Sequence, residues 1–266
     1  MHIDSRNTLR FAARTGQASK NRKDHQATSR SQCTSIWNYP RRCILNIRIL
    51  LFIAISLTPS VINAQTSAFK RADALVAQEN YQGAIVEYNK VSPRDGDLFA
   101  RAIYNIGVCH YELWQTEDAI AFYKRAIELK QGNYPRASYA LGIALDDQGR
   151  STEARAAYEQ ALSASNRQFA PATYRLGLLA AGAGEFEKAA ALFKEAASHA
   201  GKHVPASHNN HGVMLARLGF LKEAEMEFDK ALKASDGRLE DAVHNLNLCR
   251  SLTAGLRLNY KLSVVN

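Results

Sequence analysis

The chain has 266 residues, 46% hydrophobic and 22% charged, which is ordinary for a protein with one or two folded units and enough to bury a substantial core. The formal charge of +9 invites a nucleic-acid or anionic-membrane reading, but residues 1–48 hold ten Lys/Arg against two Asp/Glu, leaving 24 against 23 for everything after. That near-neutral remainder has no basic run and no interleaved Arg/aromatic stretch, so it lacks the face that phosphate neutralisation demands and no nucleic-acid partner is expected.

Residues 1–48 read as a basic leader, of which 1–42 are polar, rich in Arg, Ser, Gln and Thr, and without any sustained apolar period. Residues 49–64 then give Ile49 to Leu57 as an apolar run, Thr58-Pro59-Ser60 as a helix breaker, and Ile62-Asn63-Ala64 before Gln65. A positive region, short apolar core, breaker and small residue is the order of a secretory signal peptide, with cleavage expected after Ala64 and a periplasmic or secreted destination. Two alternatives stay open. An uncleaved anchor would bring membrane association, but it needs about twenty predominantly apolar residues, and Arg48 and Pro59 leave fewer. An organellar transit peptide fits the basic, Ser-rich, acid-poor start but not the apolar core that follows.

From residue 65 onward the sequence repeats with a period of 35. The small residues Ala72, Gly107, Gly142, Gly177 and Gly212 keep this step, as do Ala84, Ala119, Ala154, Ala189 and Ala224. The aromatic series Tyr88, Tyr123, Tyr158, Phe193, Phe228 and the series Val91, Ala126, Ala161, Ala196, Ala231 follow it too. Four registers over five copies define five units, 65–99, 100–134, 135–169, 170–204 and 205–239, within a repeat region of 65–238. Each copy has the periodicity of two amphipathic helices of about a dozen residues joined by a tight turn. In the third copy the first helix is predicted over Pro135 to Asp147, the turn at Gln148-Gly149-Arg150, and the second helix from Ser151. Gly149, Gly184 and Gly219 hold the turn position, where a left-handed backbone suits Gly. Thr116 and Ser151 are placed to cap second helices, and Pro135, Pro171 and Pro205 open first helices. The paired small residues predict close approach of the two helices, with the aromatic four residues beyond the Ala filling space against the neighbouring hairpin. Residues 240–266 form a cap and tail: Glu240 to Leu252 starts a sixth first helix in register, with Val243, Leu246 and Cys249 apolar and no second helix after it.

This pattern resembles the tetratricopeptide repeat, with Leu141, Gly142, Leu145, Ala154, Tyr158 and Ala161 on that family's signature spacing in the third copy. The resemblance implies an all-α, right-handed superhelical solenoid of five helix-turn-helix repeats with a C-terminal capping helix. It also implies a non-catalytic scaffold whose concave groove, lined by the first helices, holds a protein partner, with no cofactor and no small-molecule substrate. The family's inward positions, carried onto this chain, are Phe69, Arg101, Tyr104, Val108, Tyr111, Arg136, Tyr139, Ile143, Tyr174 and Leu178, an aromatic and aliphatic trough with charged margins. Tyr at the fifth position of a copy also serves packing alone in this family, so both roles stand for the ladder. Apolar residues at the ninth position disfavour the carboxylate-binding subset, which uses Lys and Asn.

Signatures of catalysis are missing: there is no phosphate-cradling Gly-rich loop with Lys, no His-Glu-x-x-His helix, no Cys-x-x-Cys pair and no Gly-x-Ser-x-Gly elbow. Cys109 and Cys249, the two cysteines beyond the leader, share a register four repeats apart, too far for a disulfide, and read as free buried thiols. His199, His203, His208 and His211 cluster at the junction of the fourth and fifth copies. They are weak metal candidates, since no Cys lies nearby and carboxylates are sparse.

Overall fold

Three of the odd-numbered helices described below carry a proline at their first or second residue, and every hairpin turn passes through one left-handed residue; these two local constraints set the element boundaries. A computed structural model of the chain describes residues 66–199, 201–255 and 264–265. The leader, its apolar run and the predicted cleavage site lie outside the described residues. Among the described residues the regular elements are eleven α-helices and one 3-10 turn: α1 over 66–77, α2 Tyr81–Tyr88, the 3-10 turn Pro93–Asp95, α3 Asp97–Glu112 and α4 Thr116–Leu129. They continue as α5 Pro135–Asp147, α6 Ser151–Ala164, α7 Ala170–Gly182, α8 Phe186–Ser198, α9 Val204–Arg217, α10 Leu221–Ala234 and α11 Glu240–Thr253. Among the described residues no helix is long and apolar enough to cross a membrane.

Pro135 is the first residue of α5, and Pro171 and Pro205 the second residues of α7 and α9, where the missing amide hydrogen would have had no helical acceptor. The hairpin turns close identically. Gly149, Gly184 and Gly219 have φ of 72°, 78° and 89°, and the next residue donates its amide back five residues: Arg150 N to Leu145 O, Glu185 N to Ala180 O and Phe220 N to Leu215 O, each 2.9 Å. Glu79 and Trp114 take the same left-handed position in the first two copies, with φ of 60° and 63°, at a steric cost of roughly 1 kcal/mol apiece that glycine would not incur. This closure corrects the expectation for Thr116 and Ser151. Both are the first residues inside α4 and α6, and the boundary positions belong to Gln115 and Arg150, which make no side-chain cap. Asn80 does cap α2, its side chain accepting from Gly83 N at 2.9 Å.

The described residues fall into two compact units, one ending at Ala102 and one running from Ile103. In the unit from Ile103 the second helix of each hairpin packs on the first helix of the next, α4 on α5, α6 on α7, α8 on α9 and α10 on α11, giving one continuous stack. Within each hairpin the 35-residue small and aromatic series meet. A methyl group built on Gly107 would stand 2.8 Å from the Tyr123 ring, and on Gly142 only 2.4 Å from that of Tyr158; on Gly177 and Gly212 it would stand 2.7 Å from Phe193 and Phe228. The aromatic therefore rests on the bare backbone of its own hairpin, not mainly against the neighbouring one as the sequence suggested. Tyr123, Tyr158, Phe193 and Phe228 are all fully buried. The Tyr123 and Tyr158 hydroxyls have no hydrogen-bond partner among the described residues, and Phe occupies the same place in the next two copies, so the ring and not the hydroxyl is what the site selects.

The helix α11 closes the stack through Ala242, Leu246 and Cys249, spaced i, i+4, i+7 and at most 5% exposed. Val243 lies off that seam and is 41% exposed, contrary to its place in the predicted apolar face. Cys109 and Cys249 are both free and buried. Replacing Gly142 with Ala is expected to lower the stability by about 1–3 kcal/mol, because the ring it meets has no room to retreat. Chemical denaturation of G142A against the parent, with Ala140→Gly as a helix-propensity control, measures this.

Candidate functional site

The odd-numbered helices carry the predicted inward positions, and their fifth-position aromatics prove to be sunk below the surface. Tyr104, Tyr139 and Tyr174 are 8%, 6% and 3% exposed. Each lies between two other rings. Tyr104 contacts Tyr123 of its own hairpin at 5.8 Å between centroids and Tyr134 of the connection to the next at 5.4 Å. Tyr139 lies likewise between Tyr158 at 5.8 Å and Phe169 at 5.4 Å, and Tyr174 between Phe193 at 5.7 Å and a stacked His203 at 5.1 Å. These rings are structural mortar. Val108 and Ile143 are also buried, while Leu178 is half-buried. The trough expected from sequence is therefore a filled floor, and the residues of this unit that stand clear of it are Arg136, which is exposed, and Tyr111 and Leu178, which are half-buried.

In the unit ending at Ala102, Phe69 is buried against Tyr88 at 5.3 Å, and the Arg101 guanidinium lies over its ring at 4.9 Å. Tyr88 donates its hydroxyl to Asp73 at 2.6 Å. Burial pushes the Asp73 carboxyl up, opposed by that hydrogen bond and by Arg101.

Two sets of residues escaped the sequence reading. One is the connecting rings Tyr134 and Phe169, themselves 35 apart but lying in the turns, outside any helical pattern. The other is the sixth position of the first helices, Arg175, Asn210 and Asn245, which also keep the 35-residue step. Arg175 interacts electrostatically with the Tyr139 hydroxyl. Burial works against its charge, but Tyr139, Tyr158 and Asp146 outweigh it and hold the guanidinium above its ordinary value. The Asp146 carboxyl is pushed up by burial, with Arg175 opposing and Asp147 adding to the rise. Tyr111 of α3 donates its hydroxyl to Asp147 of α5.

Further along, three fully buried amides form a relay. Asn245 Nδ2 donates to Asn209 Oδ1 at 2.9 Å, and Asn209 Nδ2 donates to Asn210 Oδ1 at 3.1 Å. Asn210 then reaches two further groups: Nδ2 donates to the Tyr174 hydroxyl at 3.2 Å and to the Val265 carbonyl at 2.5 Å, and Oδ1 accepts the Val265 amide at 2.6 Å. Tyr174 also donates its hydroxyl to that carbonyl.

The histidines do not converge as a set. His208 Nδ1 and His211 Nδ1 lie 2.7 and 3.2 Å from Glu227 Oε2, and Lys230 Nζ lies 2.6 Å from the other oxygen. Burial alone would raise the Glu227 carboxyl, but His208, His211 and Lys230 together hold it well below the usual range. The pair that sequence offered as metal ligands is thus spent on a buried carboxylate, while His203 stacks on Tyr174 and His199 ends α8. Among the described residues no group of three or more His, Cys, Asp or Glu is arranged to hold a metal ion. A cavity of about 440 Å³ between α6, α7 and α8 is lined by Arg155, Arg167 and Lys188 among others, and each of these cations is paired, with Glu185, Glu195 and Glu185 respectively.

A stack of helical hairpins closed by a single helix, with polar side chains set into one ordered face, defines an α-solenoid scaffold for protein–protein interaction. The chain belongs to the tetratricopeptide repeat family, whose models match residues 100–133, 139–203 and 174–238, together about half of it. It is similar to the crystal structure of MamA, with 25% identity, a TM-score of 0.54, and 64% of this chain and 96% of that one covered. The MamA 41-end form from Desulfovibrio magneticus RS-1 gives 19% identity and 0.54, covering 66% and 97%. YrrB, described as a tetratricopeptide repeat protein with an unusual peptide-binding site, gives 20% identity and 0.52, covering 66% and 89%. In these last two the likeness is one of fold. No curated protein sequence matches the chain.

The stacked His203 supplies a pH test. Burial, with Lys202 and Arg175 nearby, lowers its pKa to about 4 from an ordinary 6.5, so the folded chain keeps it neutral where the unfolded chain would protonate it. Its contribution is complete above pH 6.5 and is lost as the pH falls from 6.5 through 4. The melting temperature is expected to fall across that window, and His203→Phe, which copies Phe169, is expected to flatten it. An unchanged slope in H203F contradicts the assignment.

Proposed function

We propose that the chain is an exported adaptor whose odd-helix face holds an extended segment of a protein partner. The observation that carries this reading is Asn210, a fully buried amide that engages both the N–H and the C=O of a residue in no helix. Pairing of that kind recognises main chain irrespective of side chain, and main-chain bonds supply affinity while neighbouring pockets supply selectivity. Earlier in the stack, on α3 and α5, Arg136, Tyr111 and Asp147 offer charge and aromatic surface above a rigid floor, so a partner meets side chains already held in place and loses little to ordering them. The peptide-binding site named for YrrB points the same way. Export rests on the leader, whose order of charge, apolar run and breaker is that of a cleavable signal.

Since the fifth-position rings are core, a test of the face must spare them. Affinity capture from the native compartment with the double variant Arg136→Glu, Asp147→Arg is expected to lose at least about tenfold of the partner retained by the parent, with an unchanged circular dichroism spectrum. Equal retention by both forms removes the face from the binding reaction. For the destination, the intact mass and first residue of the protein recovered from its producing cell are expected to place Gln65 at the amino terminus. A chain still carrying Ile49–Leu57 argues for the anchored alternative.

A further inference from the structure

We infer that the segment beyond α11 is a resident ligand of the odd-helix face, and that Val264–Val265 occupies the place an extended partner segment must take. The inference rests on the reading of that face as a peptide site and assigns it a regulator within the same chain. The geometry is that of a complete site. A side-chain amide has two donor hydrogens and two acceptor lone pairs, and Asn210 uses all four, on Tyr174, Asn209 and, twice, Val265. Taking Val265 away leaves one donor and one acceptor valence unmet on a side chain that is otherwise buried, a cost that Asn210 avoids only when some main chain is present. Val264 adds apolar contact, packing against the core cluster that contains Tyr174 and Val213. Neither residue belongs to a helix. They are held as a bound peptide is held, by one main-chain pairing and one side chain on an apolar patch.

The register supports a dedicated site over chance contact. Asn210 is in line with Arg175 and Asn245, and its neighbour Asn209 stands where three other copies place a tyrosine, Tyr104, Tyr139 and Tyr174. Exchanging that ring for an amide removes one floor ring and installs the relay from Asn245 that fixes the Asn210 orientation. The ligand class follows from the contacts: an extended segment presenting a free N–H and C=O at one residue, preceded by a β-branched aliphatic side chain, as in the Ser-Val-Val-Asn sequence at 263–266. A partner with this pattern competes with the chain's own segment for the same two valences.

The test uses the full chain and a fluorescent peptide, Leu-Ser-Val-Val-Asn, copying residues 262–266. Val265→Pro removes the N–H that Asn210 accepts and lies outside every helix, so it cannot unfold the stack; matching melting curves check this. Fluorescence anisotropy is expected to show the peptide binding V265P about tenfold or more tightly than the parent, since the tethered competitor acts at millimolar effective concentration. Adding Asn210→Ala to V265P is expected to abolish that binding. Equal affinity for parent and V265P, or no binding to V265P, overturns the inference. The two readings fail separately. A captured partner retained equally by parent and V265P, yet lost with R136E/D147R, refutes the resident ligand and keeps the face, whereas a partner indifferent to R136E/D147R refutes the face itself.

Discussion

The structure depends on an aromatic ring resting on a bare stretch of helix backbone. Gly107, Gly142, Gly177 and Gly212 leave no side chain under Tyr123, Tyr158, Phe193 and Phe228, so each second helix is drawn onto its first at a separation that one methyl group would not allow. Tyr123, Tyr158 and Phe193 also meet the fifth-position aromatic of their own hairpin, which in turn meets the ring in the next connection. A contact that sets the angle within one hairpin therefore also positions the next. The odd-helix face inherits its rigidity from this chain of rings, because the side chains that stand above it are rooted in helices that have no freedom to slide.

Much of this was legible in sequence because the fold repeats its own evidence. A glycine that is small for packing reasons is hard to distinguish from one that is small by chance, but the same smallness at 107, 142, 177 and 212, met 16 residues on by an aromatic, leaves one explanation. What sequence could not show was depth. Tyr104, Tyr139 and Tyr174 occupy the family's inward positions, yet whether an inward ring is bare or covered depends on the connecting segments, and Tyr134, Phe169 and His203 cover them from turns that carry no helical period. The sixth-position amides were hidden for another reason. Asn in a helix has unremarkable propensity, and its meaning at 210 emerges only from a contact 55 residues away in sequence.

The same distinction governs the histidines. Spacing alone brought His208 and His211 onto adjacent turns, which fits a metal site and a carboxylate cage equally well. The deciding residue, Glu227, comes from α10, 16 residues beyond His211, and it satisfies both imidazoles and a lysine at once. A carboxylate with three charge-assisted partners in a buried setting has its preferred ionisation fixed by them. The cluster consequently ties α9 to α10 next to the asparagine relay, and so helps to hold the Asn210 amide in its working orientation.

Occupation of the face by the chain's own segment changes what affinity means for a partner. Docking costs the tether little translational freedom, so even a weak pairing of one residue is filled most of the time in the isolated chain. A partner pays for its displacement, and its apparent dissociation constant rises in proportion to how fully the segment is docked. The contacts that Asn210 makes are indifferent to side chains, so a ligand relying on them alone would gain nothing over the resident segment. Selection must then come from the groups the segment does not use, Arg136, Tyr111 and Asp147. A partner long enough to span both regions outcompetes the resident, whereas fragments matching only the Val264–Val265 site do not.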